Sequence, residues 1–185
     1  MVRLALVGCG RNASTLASAI CASDRCELAI AVDLDPVSAG HIAELNGARA
    51  HTGNLESLFA SGAADIDAVV VNTPNDKHVH DASTAIAAGK HVLVEKPLAL
   101  SADEASVVVQ EAETAQVCLM VAHTLRFMPP NVQVQRAVKD GELGRPGMLR
   151  SHRWLRRFPG PPAGWKHNPA RSGGLAVHEG VHEID

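Results

Sequence analysis

Short apolar runs alternate along the chain with longer stretches of helical spacing, and this alternation constrains the fold more than any other feature. The apolar runs are four to six residues long and mostly branched, at residues 2–7, 28–32, 66–71, 91–94 and 117–122. The stretches between them, at 12–22, 36–46, 76–88 and 101–115, are amphipathic and rich in alanine. Continuous apolar runs of this length are typical of strands buried on both faces of a parallel sheet. Strands separated by helices connect through right-handed crossovers, so the pattern predicts a doubly wound α/β fold.

Residues at the ends of the helical stretches match the known preferences of helix termini. Asp76 and Ser101 are predicted N-caps, and Glu104, three residues after Ser101, completes a capping box. Pro36 suits a first helical turn, and Gly47 stands where a C-terminal glycine is expected. These signals agree with the periodicity and support the helix assignments.

A glycine motif follows the first apolar run directly. Residues 8–13 read Gly-Cys-Gly-Arg-Asn-Ala, the G-x-G-x-x-A form of the dinucleotide-binding fingerprint. Gly8 permits a tight turn, Gly10 lets backbone amides approach a pyrophosphate, and Ala13 allows the next helix to pack close to the strand. The N-terminus of that helix adds positive potential for the phosphates. The motif predicts a Rossmann domain with cofactor contacts at Gly8, Gly10, Arg11, Asn12 and Ala13; a glycine turn without a cofactor is the alternative.

An acidic residue follows the second apolar run. Asp33 lies 23 residues after Gly10, where a carboxylate can accept hydrogen bonds from the ribose hydroxyls of the adenosine. The residues after it, Leu34, Asp35 and Pro36, include no Arg or Lys to hold a 2′-phosphate. The sequence therefore favours NAD over NADP. Asp35 itself is predicted to be a helix N-cap and not a cofactor ligand.

Charge is distributed unevenly, although the net charge of the 185 residues is only −3. Residues 1–144 hold 10 basic and 17 acidic side chains, a net of −7, whereas residues 145–171 hold seven basic side chains and no acidic one. We interpret the basic stretch as a solvated strand and loop, with a site for an anionic substrate as the next option. Nucleic-acid binding is not expected, because the chain is acidic overall, has five aromatic residues and carries no recognition motif.

Composition changes together with charge in the last third of the chain. Four prolines fall within residues 159–169, and we place a change of organisation between about residues 122 and 144. The four cysteines form no C-x-x-C pair, which suits a reducing compartment and predicts a cytoplasmic protein. No apolar run approaches the ~18 residues of a membrane span, and no signal-peptide pattern precedes the first strand. Neither membrane insertion nor secretion is expected.

Four further motifs point to a family. They are Val-Asn-Thr-Pro-Asn at 71–75 followed by His78, Gly-Lys-His-Val-Leu-Val-Glu-Lys-Pro at 89–97, His-Thr-Leu-Arg-Phe-Met-Pro at 123–129, and Ser-Gly-Gly-Leu-Ala-Val-His-Glu-Gly-Val-His at 172–182. Over essentially the whole chain, this set closely resembles the Gfo/Idh/MocA (glucose–fructose oxidoreductase/inositol dehydrogenase) family. The resemblance implies a pyridine-nucleotide enzyme that oxidises or reduces a ring carbon of a sugar, cyclitol or related compound.

The resemblance also implies a domain organisation. Residues 1–122 would form the dinucleotide-binding Rossmann domain, and residues 123–185 would start a second α/β domain for substrate binding and oligomerisation. Family members are roughly twice as long as this chain, so we interpret it as truncated in the second domain. The full-length protein is expected to be a homo-oligomer.

The resemblance assigns the chemistry to three side chains. Lys96 is expected to hydrogen-bond the reacting hydroxyl, aimed by a Lys96–Pro97 turn that can be cis, and its ammonium can stabilise a developing alkoxide. His182 is expected to accept the hydroxyl proton, since imidazole titrates near working pH. His178 departs from the family pattern, which has Asp at this position. A histidine cannot supply that negative charge, so we expect a weaker base or a different substrate.

Further residues are placed along the cofactor by the same resemblance. They are Thr73, Pro74, Asn75, His78, Glu95, Lys96, Arg126 and Trp165. Trp165 can equally be a core or interface residue. Lys96 lies just beyond a strand's carboxyl end, where ligands of open α/β sheets bind.

Two other interpretations of the sequence stay open. His178, Glu179 and His182 match H-E-x-x-H, which binds zinc when it lies on a helix. A catalytic zinc needs a third protein ligand, and Gly180 is a poor residue for presenting ligands rigidly, so no metal is predicted. The alternative function is a non-catalytic nucleotide-binding fragment that lacks the domain needed to enclose a substrate.

Overall fold

A parallel sheet of six strands forms the centre of the protein in a computed structural model that describes residues 1–62, 65–148, 150, 164–174 and 176–180. The strands are β1 (Val2–Val7), β2 (Cys26–Asp33), β3 (Arg49–Thr52), β4 (Ala68–Val71), β5 (His91–Val94) and β6 (Leu119–Val121). Their order across the sheet is β3-β2-β1-β4-β5-β6, and all pairs are parallel. Chain order reverses between β1 and β4, which creates the switch point where such sheets bind ligands. The predicted doubly wound fold is confirmed.

Helices connect the strands and continue beyond the sheet. They are α1 (Ala13–Cys21), α2 (Pro36–Asn46), α3 (Leu55–Ala60), α4 (His78–Ala87), α5 (Ala102–Ala115), α6 (Pro129–Lys139) and α7 (Pro169–Ser172). Short 3₁₀ turns lie at Asn75–Lys77, Thr124–Phe127 and Trp165–His167, and a π turn lies at Ala176–Gly180. In the ranges that the structure describes, no helix has the length and apolar character that crossing a bilayer requires.

Two hydrophobic cores cover the two faces of the sheet. Successive side chains of a strand point to opposite faces, so Ala5 and Val7 enter one core while Leu6 enters the other. The first core includes Val108 of α5, and the second includes Ala13 at the start of α1. Burial on both faces explains why the strands read as continuous apolar runs.

Most predicted helix ends are confirmed. Ser101 accepts a hydrogen bond from the Glu104 N–H at 3.2 Å while the Glu104 carboxylate accepts the Ser101 N–H at 3.2 Å, a complete capping box. Pro36 lies in the first turn of α2, and Gly47 ends that helix with a φ of 66°. Local sequence therefore determines these boundaries.

Two local expectations need correction. Asp76 is not an N-cap: it lies inside the Asn75–Lys77 turn, α4 begins at His78, and its carboxylate instead accepts a hydrogen bond from Arg171 Nε at 3.0 Å. The apolar runs also leave residues 49–60 without an element, where the structure forms β3 and α3. β3 lies at the sheet edge and is mostly exposed, so it lacks the apolar pattern of a buried strand.

Candidate active site at the carboxyl ends of the strands

The turn after β1 requires glycine at its first position. Gly8 has a φ of +91°, a conformation that side-chain-bearing residues rarely adopt. A Cβ at Gly8 would lie 2.5 Å from the carbonyl oxygen of Asn72 and 2.8 Å from the backbone nitrogen of Thr73. The Asn72 side-chain amide donates to the Gly8 carbonyl at 2.7 Å. The turn is therefore packed tightly against the residues that follow β4.

The second glycine faces open space. Gly10 is exposed, and a Cβ added there would have no protein atom within 4 Å. Ala13, which is fully buried, begins α1, and its N–H donates to the Gly10 carbonyl at 2.9 Å. Among the described residues, no side chain caps the N-terminus of α1, and its first turn holds no acidic residue. This uncapped helix end below an open glycine fits a pyrophosphate, as the fingerprint predicts.

The Asp33 carboxylate is held by the backbone on both of its oxygens. One oxygen accepts the Cys9 N–H at 2.7 Å, and the other accepts the Asp35 N–H at 2.9 Å. These bonds place a carboxylate beside the glycine turn, at the edge where the ribose contact is predicted. Asp35 is the N-cap of α2, as predicted, accepting the N–H groups of Val37 and Ser38. The Ser38 hydroxyl and these amides lower the pKa of the exposed Asp35 carboxyl.

Cys9, between the two glycines, is not a reactive thiol. The side chain is 6 % exposed, and its sulfur lies 3.5 Å from the Val32 carbonyl. Burial first, and then the charge of Asp33, raises the pKa of the Cys9 thiol to about 12. The residue therefore contributes its backbone N–H to the turn and stays protonated.

The loop after β4 rests on buried polar groups. The Thr73 hydroxyl donates to the Asp81 carboxylate at 2.6 Å, and burial raises the pKa of that carboxyl. His78, at the start of α4, is 1 % exposed and lies beneath the loop. Asn75 is 3 % exposed and points toward the segment that contains α7. Thr73, Pro74, Asn75 and His78 thus lie together at the predicted edge of the sheet.

The loop after β5 places an ammonium group at the same edge. The Glu95 carboxylate accepts a hydrogen bond from the Asn12 amide at 3.1 Å and another from the Lys96 N–H at 3.2 Å. The first of these bonds joins the dinucleotide fingerprint to the Glu-Lys-Pro motif. The Lys96–Pro97 peptide bond is cis. Lys96 Nζ donates a hydrogen bond to the backbone carbonyl of His178.

The segment from residue 164 to 180 is attached to these loops by polar contacts. The Asn75 side-chain amide donates to the Ser172 carbonyl at 2.8 Å and lies 3.2 Å from Nδ1 of His178. His178 is 4 % exposed, and the Trp165 ring meets its ring edge-on with centroids 5.3 Å apart. Lys96, Asn75, Trp165 and His178 therefore converge, although they are far apart in the sequence.

Of the remaining sequence-predicted site residues, two are exposed and one lies outside the described residues. Arg11 is exposed in the glycine turn, and Arg126 is exposed in the Thr124–Phe127 turn after β6. His182, the predicted proton acceptor, lies outside the described residues. Its placement stays a prediction.

Several contacts at the site escape sequence reasoning. Asn72 lies in the Val-Asn-Thr-Pro-Asn motif but is not among the predicted site residues, yet its amide holds Gly8. The Arg171–Asp76 ion pair at 3.0 Å joins residues 95 positions apart, so no spacing signal indicates it. Asp81 is one helical turn after His78, and that spacing alone could have suggested a shared face.

Metal chemistry has no support among the residues that the structure describes, where no group of three His, Cys, Asp or Glu side chains could hold an ion. His182 and the side chain of Glu179 are not among those residues. The zinc interpretation of the H-E-x-x-H match is therefore untested.

Comparison with known proteins places this geometry in a family. The fold and glycine turn define a dinucleotide-binding protein, and residues 2–123 match the model of an oxidoreductase family described as having an NAD-binding Rossmann fold, GFO_IDH_MocA. Residues 131–185 match the model of a GFO/IDH/MocA C-terminal domain. The chain belongs to the Gfo/Idh/MocA oxidoreductase family, as the sequence motifs indicate.

Individual relatives agree with the family assignment. The chain is 32 % identical over 185 residues to an inositol 2-dehydrogenase of Rhizobium meliloti, covering all of this chain and 53 % of the relative. It is 36 % identical over 141 residues to a 1,5-anhydro-D-fructose reductase of Ensifer adhaerens, covering 76 % of this chain and 41 % of that enzyme. The structure superposes on GenD2 from gentamicin A biosynthesis, solved in complex with NAD, with a TM-score of 0.83 and 30 % identity, covering 99 % of this chain and 51 % of that one. The chain thus spans about half the length of the relatives it matches.

Proposed function

We propose that this chain is the nucleotide-binding part of an NAD-dependent oxidoreductase that acts on a hydroxyl or keto carbon of a sugar, cyclitol or related compound. The observation that carries the proposal is the placement of Lys96. Lys96 lies at the same sheet edge as the Gly8–Ala13 turn, and its backbone N–H is linked to that turn through Glu95 and Asn12. Its ammonium points to the His178 segment. Relatives named as inositol 2-dehydrogenase and 1,5-anhydro-D-fructose reductase support the substrate class.

The open helix end supports a place for the cofactor in this proposal. Backbone amides of the Gly8–Ala13 turn would hold the pyrophosphate, and the Asp33 carboxylate would accept the ribose hydroxyls. The negative charge of Asp33 would repel a 2′-phosphate, and the next residues, Leu34, Asp35 and Pro36, supply no positive charge to hold one. Both features favour NAD over NADP. When bound, NAD supplies the hydride acceptor, and NADH the hydride donor. The contacts of Thr73, Pro74, Asn75, Glu95, Arg126 and Trp165 with the cofactor stay part of the proposal, whereas both ring nitrogens of His78 face backbone carbonyls.

Side chains of the protein would accept the hydroxyl proton and stabilise the negative charge that develops on the substrate oxygen. In the oxidation direction, Lys96 Nζ donates a hydrogen bond to the substrate oxygen and stabilises its negative charge as the O–H bond breaks. The hydroxyl proton passes to His182, and the carbon gives up a hydride, so the alcohol loses two electrons and two hydrogens. The same groups serve the reverse reaction.

His178 changes the electrostatics of this step. The Asn75 amide nitrogen lies 3.2 Å from Nδ1 of His178 and donates to it in the tautomer whose ring hydrogen is on Nε2. An aspartate at this position would add a negative charge that favours an imidazolium at His182, whereas this imidazole does not. We propose that His182 is a weaker base than in relatives with Asp. A His178→Asp variant should make His182 more basic and so move the pH profile of turnover to higher pH, and an unchanged profile would remove position 178 from the mechanism.

Turnover assays test the main proposal. NADH binding is followed by fluorescence, and oxidation or reduction is assayed with inositol and with keto-sugars. Lys96→Met should lower kcat by about 100-fold or more, since one charged hydrogen bond in the transition state is lost. Lys139→Met, at the exposed end of α6, is the matched control and should leave turnover unchanged. Tight NADH binding without turnover of any polyol or keto-sugar would favour the non-catalytic fragment instead.

Location and assembly complete the proposal. The four cysteines are free, which supports a reducing compartment such as the cytoplasm. Exposed apolar side chains after the sheet, among them Phe127, Met128 and Val134, support contacts with further protein, consistent with a homo-oligomer in the full-length enzyme. We propose residues 1–122 and 123–185 as the domain division, and we expect no nucleic-acid partner.

A further inference from the structure

A buried histidine bridges the two loops of the site. His78 is 1 % exposed, and the sequence predicts it as a cofactor contact. Instead, its Nδ1 lies 2.6 Å from the Pro97 carbonyl oxygen, and its Nε2 lies 2.8 Å from the Thr73 carbonyl oxygen. Both ring nitrogens therefore face backbone groups, which leaves no ring nitrogen for a ligand.

The two backbone partners determine how many hydrogens the His78 ring must carry. A carbonyl oxygen accepts hydrogen bonds and cannot donate them, so each of the two contacts requires a hydrogen on the facing nitrogen. A neutral imidazole has one such hydrogen and would direct a lone pair at a carbonyl oxygen at the other contact. Because the side chain is buried, water cannot replace the lost bond. Only the imidazolium satisfies both contacts.

The surroundings can balance this charge. Asp81, one turn later in α4, is buried and accepts the Thr73 hydroxyl at 2.6 Å. Burial raises the pKa of Asp81, and the charge of His78 acts in the opposite direction. His80 and Glu56 form a pair at 2.6 Å, and the charges of both also act on Asp81. On the β5 side, the ammonium of Lys96 donates to the His178 carbonyl.

The position of the bridge in the sheet explains its consequence. β4 and β5 pair as far as Val71 and Val94, and the last bond between them runs from the Glu95 N–H to the Val71 carbonyl at 2.9 Å. Beyond that point the strands end, and the His78 ring connects the two segments that follow them, between Thr73 and Pro97. Lys96 lies between these two fixed points, since Glu95 is held by the sheet and Pro97 by His78.

We propose that His78 is a doubly protonated positioning residue whose two N–H groups lock the Thr73–Asn75 loop to the Lys96–Pro97 turn and so fix the Lys96 ammonium for catalysis. The protonation state of His78 is independent of the enzyme's activity, whereas the effect on Lys96 rests on the function proposed above. The two parts are therefore tested separately.

Ring-labelled histidine NMR of the whole chain tests the protonation state. The His78 signals are assigned by their loss in a His78→Gln variant. We expect hydrogens on both ring nitrogens, protected from exchange, at the pH of the turnover assay. A ring with a single N–H under those conditions would overturn the proposal, whether or not the enzyme turns over.

Paired variants test the positioning role. His78→Asn keeps a donor near the Nδ1 position for Pro97, and His78→Gln keeps one near the Nε2 position for Thr73. We expect His78→Gln to lower kcat by about 10- to 100-fold, because Lys96 loses its neighbouring anchor, and His78→Asn to lower it less. The NADH dissociation constant should change less than kcat in both.

Controls separate positioning from folding. His80→Gln removes a histidine two residues away whose side chain is 65 % exposed, and it should leave kcat unchanged. Thermal unfolding of each variant identifies any that fails to fold, and the NMR result then decides the proposal alone. Equal kcat values for both folded His78 variants and the wild type would overturn the positioning role.

Discussion

Replacing Gly8 with alanine should destabilise the protein strongly, because two penalties act at one position. A side chain at a φ of +91° costs about 1–2 kcal/mol. The added Cβ would also lie 2.5 Å from Asn72 O and 2.8 Å from Thr73 N, and both are backbone atoms that cannot rotate away. Overpacking of this kind costs about 1–3 kcal/mol, so the total loss is about 2–5 kcal/mol of unfolding free energy.

Urea unfolding measures this loss. A domain of this size loses about 2–3 kcal/mol of stability per molar urea, so the midpoint should fall by about 1–2 M. Gly40→Ala, in the middle of α2 with nothing within 4 Å of its Cβ, is the matched control and should raise stability by about 0.5–1 kcal/mol. A Gly8→Ala midpoint equal to that of the wild type would refute the packing argument.

Gly10→Ala separates folding from binding at the same turn. Its Cβ would meet no protein atom, so stability should change by less than about 0.5 kcal/mol. The methyl group would occupy the space proposed for the pyrophosphate, so NADH affinity should fall by about 10-fold or more, a loss of about 1.4 kcal/mol. Unchanged NADH affinity in a stably folded Gly10→Ala protein would place the cofactor elsewhere.

Three further perturbations test individual groups. In thiol labelling of the native protein, the exposed Cys21 and Cys118 should react rapidly. The pKa of about 12 for the Cys9 thiol leaves about one Cys9 in 10⁴ as thiolate near pH 8, so Cys9 should react slowly. A fast reaction of Cys9 would contradict this. Because burial raises the pKa of Asp81, the folded state binds the proton of this carboxyl more tightly than the unfolded state does. The stability of the wild type relative to Asp81→Asn should therefore fall as the pH rises through the folded-state pKa. Urea unfolding of both proteins from about pH 4 to about pH 7 measures this difference, and a pH-independent difference would contradict the argument. Ser101→Ala removes the α5 capping box and should cost about 1 kcal/mol in thermal unfolding, and an unchanged melting temperature would argue against the cap.

The sequence predicts those parts of the fold that depend on residues close to one another along the chain. Burial on both faces makes β1 and β4 read as apolar runs, and the Ser101 and Gly47 caps act within one turn of their helices. The sequence pattern does not predict β3, because an edge strand that is mostly exposed needs few apolar residues. Its position is set by pairing with β2, from Ile30 opposite Arg49 onward.

The residues of the site likewise include some that the sequence predicts and some that it does not. Gly8 and Lys96 were predictable, because a parallel sheet brings the carboxyl ends of its strands to one edge. The contacts of Asn75 with Ser172 and of Asp76 with Arg171 join residues almost 100 positions apart, at 97 and 95, and follow only from tertiary packing. Those long-range contacts determine where His178 lies relative to Lys96.

The arrangement of cofactor and lysine is the central claim, and a structure of the chain crystallised with NADH tests it most directly. We expect pyrophosphate oxygens within about 3 Å of backbone N–H groups in the Gly8–Ala13 turn, and the nicotinamide ring extending toward Lys96 Nζ. A dinucleotide bound away from this turn, or a nicotinamide directed away from Lys96, would contradict the account.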